Sequence, residues 1–355
     1  MKKSTLLIIL SVFVCSYLLS QENAKSKTVI HKEVEAYIQD VQAQLEIPGI
    51  ALAIVKGDQV LHRQNYGYAS LEHKVLISEA SIFRVYSLSK LFTAVAIFQL
   101  IETEKLSLDD TISSYINDLP KAWRDIKIKH LLSHSSGLPD MTPIPDFKDL
   151  TEEESLAFLF TKQRDFDSGE KYSYNQTGFW ILKKIIEKVT GEDFDSWILT
   201  NQFHDTNGTV LFSSDSRKII ENRTTPYFPF TTGSMTIDHP YLQGDYAHAL
   251  NGLNLSLEAY LNWDSDFKKG KILSEKMKMK MWQTFPYTKS NYRFTYGWDK
   301  RMVNDVVSYG FSGSLVTAYR TFPNNNLSII FLSNALNKFY NIENVINDLA
   351  TIVLE

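Results

Sequence analysis

The chain has 355 residues, 44% of them hydrophobic, and a formal net charge of −4. That is ample for a large core in one or two domains. No basic stripe points to nucleic acid, and no long charge run points to a disordered tail.

The N-terminus reads as a processing signal. Lys2 and Lys3 precede "TLLIILSVFVCSYLLS", which falls short of the roughly 20 apolar residues a membrane-spanning helix needs. Residues 1–20 are expected to be removed on export, with cleavage near Ser20 and Gln21. A retained membrane anchor is the alternative. Val14 fits poorly with lipidation of Cys15, which wants a small residue before it. Cleavage would take away the single cysteine. The mature chain, 21–355, would then have no thiolate nucleophile, thiolate metal site or disulfide. An exported chain without disulfides fits a bacterial periplasm better than a small stapled secreted domain.

Residues 34–45 carry the pattern of an amphipathic helix. "GIALAIVKGDQVLHRQNYGYA" follows and reads as two strands turned at Gly57-Asp58, a hairpin signal. From about 85 to 290 the pattern is mostly helical, with helices expected over 90–103, 152–161, 178–189 and 255–262. The C-terminal part returns to strands in "YRFTYGWDK", "DVVSYG", "LVTAYRTFP" and "LSIIFLSN", and a last helix covers about 339–353. Strands at both ends and helices between them predict an α/β (α+β) fold. One antiparallel sheet is assembled from both chain ends (30–84 and 291–355) and flanked by helices, and a mostly helical part (85–290) is inserted. Sites commonly lie in the cleft between two such parts.

Within "SIFRVYSLSKLFTAVAIFQLIE", Ser87 and Lys90 stand three apart at the head of an apolar helix. Residues so spaced are neighbours on a helix, with Cβ atoms about 5–6 Å apart. Desolvation by Leu88, Leu91, Phe92 and Val95 would disfavour the ammonium of Lys90. A neutral amine can take the proton of Ser87 and make it a nucleophile. A helix N-terminus also aims N–H groups at an oxyanion. The S-x-x-K spacing alone leaves catalysis and an ordinary helix start equally open. It recurs at Ser168/Lys171 and Ser265/Lys268, in polar, loop-like sequence where a lysine stays hydrated.

The order of several blocks resembles the serine β-lactamase and penicillin-recognising hydrolase superfamily, on the branch of class C β-lactamases, D-peptidases and related esterases. The blocks are "IPGIALAIVKGDQVLHRQNYGYASLEHK", "FRVYSLSKLFTAVAIFQLIETEKLSLDDTISSYI", "IKIKHLLSHSSGLPD", "GEKYSYNQTGFWIL" and "GFSGSLVTAYRTFPNNNLSIIFLSN". The likeness covers about residues 30–350. It implies a β-lactamase-like fold in a single catalytic domain, with Ser87 as the acylated nucleophile and Lys90 as its partner. It implies no metal and no cofactor. The superfamily's second motif, Tyr-x-Asn, falls on Tyr174-Asn175-Gln176. Tyr174 then takes the tyrosine place as a general base that later returns the proton. Gln176 takes the asparagine place, with the same amide groups one methylene further out. An ordinary buried tyrosine is the alternative for Tyr174. Tyr115-Ile116-Asn117 and Tyr260-Leu261-Asn262 match the pattern in unrelated contexts.

The third motif, Lys- or His-x-Gly on a strand, falls on Phe311-Ser312-Gly313. Gly313 lets substrate approach the strand, and the N–H of Ser314 is expected to join that of Ser87 as the oxyanion hole. Phe311 departs from the motif, since it offers neither charge nor donor. His134 reads as a structural loop histidine outside the catalytic set, with a Ser-His partner as the alternative, and Trp282, Trp298 and the surrounding tyrosines read as core, with lining of the cleft as the alternative. The expected activity is exported serine hydrolysis, through an acyl-enzyme, of a small-molecule ester, peptide or β-lactam-like substrate. Phe311 tilts this towards esters, because some esterases of the superfamily have an aromatic residue there. A monomer is expected, with no nucleic-acid partner and no stable membrane anchor once the signal is cleaved. The rival is a non-catalytic protein that keeps the fold to bind cell wall or another ligand.

Overall fold

Two strands, β1 (Gly49–Lys56) and β2 (Gln59–Ser70), form the expected hairpin at Gly57-Asp58. Gly57 supplies the turn's left-handed conformation with φ of 62°. The computed structural model describes residues 27–141, 151–204, 208–229, 235–237, 244–314, 316–335 and 341–355. The expected signal segment 1–20, with Cys15 and Ser20, lies outside them, as does Gln21. Among the described residues no helix is long and apolar enough to cross a membrane.

Helix α1 (27–44) precedes the hairpin. After β2 come β3 (Val75–Leu76), β4 (Ile82–Arg84) and helix α2 (Ser89–Glu102). Helices α3 (Ile128–Leu132), α4 (Glu152–Phe160), α5 (Thr177–Thr190) and α6 (Phe194–Gln202) follow. Strands β5 (Val210–Phe212), β6 (Tyr227–Pro229), β7 (Met235–Ile237) and β8 (Leu253–Ser256) lead to α7 (Leu257–Lys268) and α8 (Glu275–Met281). The chain closes with β9 (Asp299–Val303), β10 (Val306–Gly313), β11 (Thr317–Phe322), β12 (Leu327–Ser333) and α9 (Ile342–Leu354).

The main sheet runs β3-β2-β1-β12-β11-β10-β9, antiparallel throughout. Its centre joins the two chain ends, β1 against β12. Successive side chains of a strand point to opposite faces. Accordingly Ile50, Leu52 and Ile54 pack with Val34 and Ile38 of α1 and with Ile346 and Leu349 of α9. Ala51 and Ala53 face the larger core around α2. In α2, 12 of 14 residues are buried, Lys90 included. A helix apolar on every side belongs inside a core.

The middle of the chain is less uniformly helical than its pattern predicts. It carries a small sheet, β4-β8-β5, and a ribbon, β6-β7. The helix expected over 255–262 starts later, at Leu257, because Leu253–Ser256 pair with β4 and β5. Ser256 ends the strand and caps α7, its Oγ accepting from the Ala259 N–H at 3.2 Å. Short apolar runs do not separate a buried strand from a helix start.

Candidate active site

Strand β4 delivers the chain into a tight turn over Tyr86–Leu88 before α2 begins. Ser87 therefore stands on that turn, two residues ahead of α2, instead of opening it. Tyr86 takes φ of 50°, a left-handed conformation that costs a non-glycine residue about 1–3 kcal/mol. Neighbours fix it there. The Ser89 hydroxyl donates to the Tyr86 carbonyl at 2.7 Å and accepts from the Leu253 N–H at 3.1 Å. The Thr317 hydroxyl donates to the Val85 carbonyl at 3.0 Å. Ser89 had no signal of its own in the sequence beyond lying between Ser87 and Lys90.

Lys90 is wholly buried in the first turn of α2. Its Nζ lies 3.4 Å from Ser87 Oγ and donates to the Leu250 carbonyl at 2.7 Å. One turn on, Thr93 donates to the Ala249 carbonyl at 2.8 Å. The wide π-type turn over His248–Gly252 is thus stitched to α2; such turns are frequent at functional sites. Burial pushes the Lys90 amine well below its ordinary pKa, against a smaller opposing pull from Asp140. Removal from water disfavours the ammonium. Among the described residues, no carboxylate forms a salt bridge with it.

Tyr174 arrives from the segment before α5. Its hydroxyl donates to Ser87 Oγ at 2.8 Å, and the Lys90 Nζ sits 5.1 Å from its ring centre. His134 positions this segment. Its carbonyl accepts from the Ser173 N–H at 2.8 Å, and its Nδ1 accepts from the Asn175 N–H at 3.1 Å. The His134 ring is buried, and burial, then Lys90, lower its pKa far below the usual value. It is a neutral acceptor packed 4.6 Å from the Tyr174 ring, which fits the structural role read for it. Asn175 clamps the same segment, donating to the Leu138 carbonyl and accepting from the Gly178 N–H, both at 2.8 Å. Gln176 sits at the start of α5. Its Oε1 is buried with no hydrogen-bond partner among the described residues, and its N–H donates to Asp140 at 3.4 Å.

At the end of β10, a Cβ on Gly313 would stand 2.1 Å from the Val85 carbonyl and 3.1 Å from Tyr86 Cβ. Only glycine lets the strand end abut the Ser87 turn this closely. Ser314 follows, exposed, with φ of 47°. Phe311, on the same strand, stacks on Tyr174 with ring centres 6.2 Å apart. From it an aromatic wall continues through Phe294 (6.1 Å) to Tyr172 (5.2 Å) and half-exposed Tyr292 (4.2 Å). Tyr292 is one of the tyrosines around Trp282 and Trp298, whereas Tyr172 and Phe294, more than a hundred residues apart, had no reading of their own in the sequence.

The other candidates fall elsewhere. Lys171 is exposed. Ser265 and Lys268 lie on α7 and not in a loop, and Lys268 pairs with Asp264 at 3.3 Å. Tyr115 donates to Asp110 at 2.6 Å, and Tyr260 stacks in the core on Tyr319. Trp282 and Trp298 are core residues, packed on Tyr309 and Phe267. The structure therefore brings Ser87, Lys90 and Tyr174 together and lays Phe311 over the tyrosine. Such a cluster can generate an alkoxide in a water-poor place.

The β-lactamase family profile matches residues 34–351. Penicillin-binding protein 4* of Bacillus subtilis (strain 168) is 29% identical over 185 residues, 48% of this chain and 39% of that protein. The match thus spans about two fifths of that relative's length. Among solved structures, the octameric penicillin-binding protein homologue from Pyrococcus abyssi superposes with a TM-score of 0.76 and 23% identity, over 91% of this chain and 77% of the other. The D-amino acid amidase from Ochrobactrum anthropi SV3 superposes with a TM-score of 0.77 and 20% identity, over 92% and 97%. At these identities the two superpositions establish the fold.

Proposed function

The chain belongs to the β-lactamase family, and we propose that it hydrolyses an ester, or the amide of a small acyl or peptide-like compound, through an acyl-enzyme on Ser87. The observation that carries this is the position of Ser87 Oγ, 2.8 Å from the Tyr174 hydroxyl and 3.4 Å from a lysine with no exposure. In the proposed sequence, Ser87 Oγ attacks the carbonyl carbon while the neutral Lys90 amine takes its proton. The N–H groups of Ser87 and Ser314 receive the oxyanion. Tyr174 gives a proton to the departing oxygen or nitrogen and is resupplied from Lys90. Water then enters by the reverse proton route and releases the acid. Gln176 and Gly313 are proposed to contact the acyl part, and Phe311 with its aromatic neighbours forms an apolar wall that favours neutral esters.

Intact mass after exposure to a fluorophosphonate probe tests the reading. One adduct is expected on the wild type and none on Ser87→Ala, with ester turnover falling at least about 10³-fold. An equal adduct on Ser87→Ala would sink the assignment. The stacking of Phe311 on Tyr174 favours a second reading, a non-catalytic ligand-binding protein. Capture of cell-wall fragments without turnover across an ester panel is its expected outcome, and turnover of a p-nitrophenyl ester that depends on Ser87 excludes it. We further propose that residues 1–20 are removed on export and that 21–355 acts as a monomer. Intact mass and sedimentation of the exported product test both.

A further inference from the structure

On the sheet face away from α2, helix α1 and strand β2 bring His31, Glu35 and His62 together. One ligand atom from each lies within 4.8 Å of the other two. His31 and Glu35 are four apart on α1 and so share a face. His62 and Tyr66 are four apart on β2, with side chains on one side of the sheet. The His31 and His62 ring centres are 4.7 Å apart.

The hydrogen bonds define what His62 offers. The Tyr66 hydroxyl donates to Glu35 Oε2 at 2.7 Å. Its oxygen lies 2.8 Å from His62 Nε2 and, having given its one proton to Glu35, must accept from an Nε2–H. His62 Nδ1 then carries the lone pair. That nitrogen is buried, in a residue only 1% exposed, and has no hydrogen-bond partner among the described residues. An unsatisfied buried acceptor costs about 1–3 kcal/mol.

We propose that His31, Glu35 and His62 Nδ1 bind one zinc-class divalent ion that clasps α1 to the sheet. Two imidazole nitrogens and a carboxylate oxygen suit zinc, cobalt, nickel or copper, whereas calcium and magnesium want oxygen ligands throughout. With bonds of about 2.0–2.2 Å to a tetrahedral ion, ligand atoms stand roughly 3.4 Å apart, and one atom from each of the three already lies within 4.8 Å of the others. Small rotations of the exposed His31 and half-buried Glu35 side chains bring the set around the ion at buried His62, and water is the fourth ligand. Tyr66 holds the far nitrogen of His62 and one Glu35 oxygen, the outer contact that fixes a ligand's tautomer. Gln39 donates to Glu35 Oε1 at 2.8 Å and can keep one lone pair while the ion takes another. The site is independent of the chemistry at Ser87.

The test is calorimetric titration of zinc chloride into tag-free, chelator-stripped full-length chain, with the visible spectrum of the cobalt form. One ion per chain is expected, with tetrahedral cobalt bands and a thermal midpoint that rises with zinc. His31→Ala, at an exposed position, should fold normally, take up fluorophosphonate as the wild type does, and lose at least about 10-fold in affinity. Tyr66→Phe should lose about 10- to 100-fold. Zinc binding of equal stoichiometry and affinity in wild type and His31→Ala would overturn the proposal, as would no zinc-dependent rise in the wild-type midpoint.

Discussion

Two regions of this molecule each bury a cation completely, and they treat it in opposite ways. Behind the sheet, Arg320 on β11 is 0% exposed. It donates to Glu343 of α9 at 3.0 Å and to Asp299 of β9 at 3.4 Å, and Arg301 binds the same two carboxylates. At the front, Lys90 is equally buried but meets a carbonyl, a serine hydroxyl and aromatic faces. A buried charge that is paired keeps its charge. One that is unpaired is pushed towards its neutral form. Arginine cannot shed its proton, and lysine can. The rear region therefore spends its cation on holding three elements together, whereas burial at the front lowers the pKa of its lysine.

Exchanging the two cation types is the strongest way to break that contrast. Lys90→Arg keeps the charge and removes the ability to accept a proton. Ester turnover should fall by roughly 10²–10⁴-fold, the usual contribution of a general base. The wild-type rate should decline as pH falls through the lowered pKa of Lys90, because the ammonium cannot accept the serine proton. Near-wild-type activity in the arginine variant would reduce Lys90 to a fixed charge. Stability follows the same sign. A lysine whose folded pKa lies below its unfolded one penalises the fold increasingly as pH falls towards that lowered value. Lys90→Met should therefore melt higher than wild type at pH 7 while losing turnover.

Removing a partner at the rear is the next test in size. Glu343→Ala leaves Arg320 with Asp299 as its one paired carboxylate, and loss of one member of a buried ion pair costs about 3–5 kcal/mol. Urea unfolding should show this as a lower midpoint with an unchanged slope. Fluorophosphonate labelling of Ser87 in the folded fraction should persist. A loss of labelling without a loss of stability would mean that the two regions are coupled.

The smallest effect sharpens the front region. A lysine or histidine in the place of Phe311 would hold a substrate carboxylate with a charge-assisted bond worth about 1.5–3 kcal/mol, or roughly 10- to 150-fold in rate. Phe311→His should raise acylation by a carboxylate-bearing β-lactam by a factor in that range. It should leave hydrolysis of a neutral short-chain ester flat or lower, since the ring stacked on Tyr174 is lost. Comparison of kcat/KM for the two substrates decides the matter. An equal change for both would remove the basis for preferring neutral esters.

What the sequence determined by itself was local or periodic. The apolar run after Lys90 dictated a buried helix, and strand-forming segments at both ends predicted one sheet built from them; its closure by β1 against β12 is a finding of the structure. The spacing of Ser87 and Lys90 held, because three residues span one turn in either helical geometry. Position among familiar blocks picked Tyr174 over Tyr115 and Tyr260, although those two match Tyr-x-Asn and Tyr174 has Gln176 in the asparagine place. Tertiary structure alone decided the rest. The carbonyl that receives Lys90 belongs to Leu250, 160 positions away, and the strain at Tyr86 is held by Ser89, Leu253 and Thr317 acting together. The wall of Phe311, Phe294, Tyr172 and Tyr292, the Arg320 network and the His31–Glu35–His62 cluster each join residues from separate elements. Hydrogen bonds and desolvation act over a few ångströms of space, and distance along the chain carries almost no information about them until the sheet has brought its two ends together.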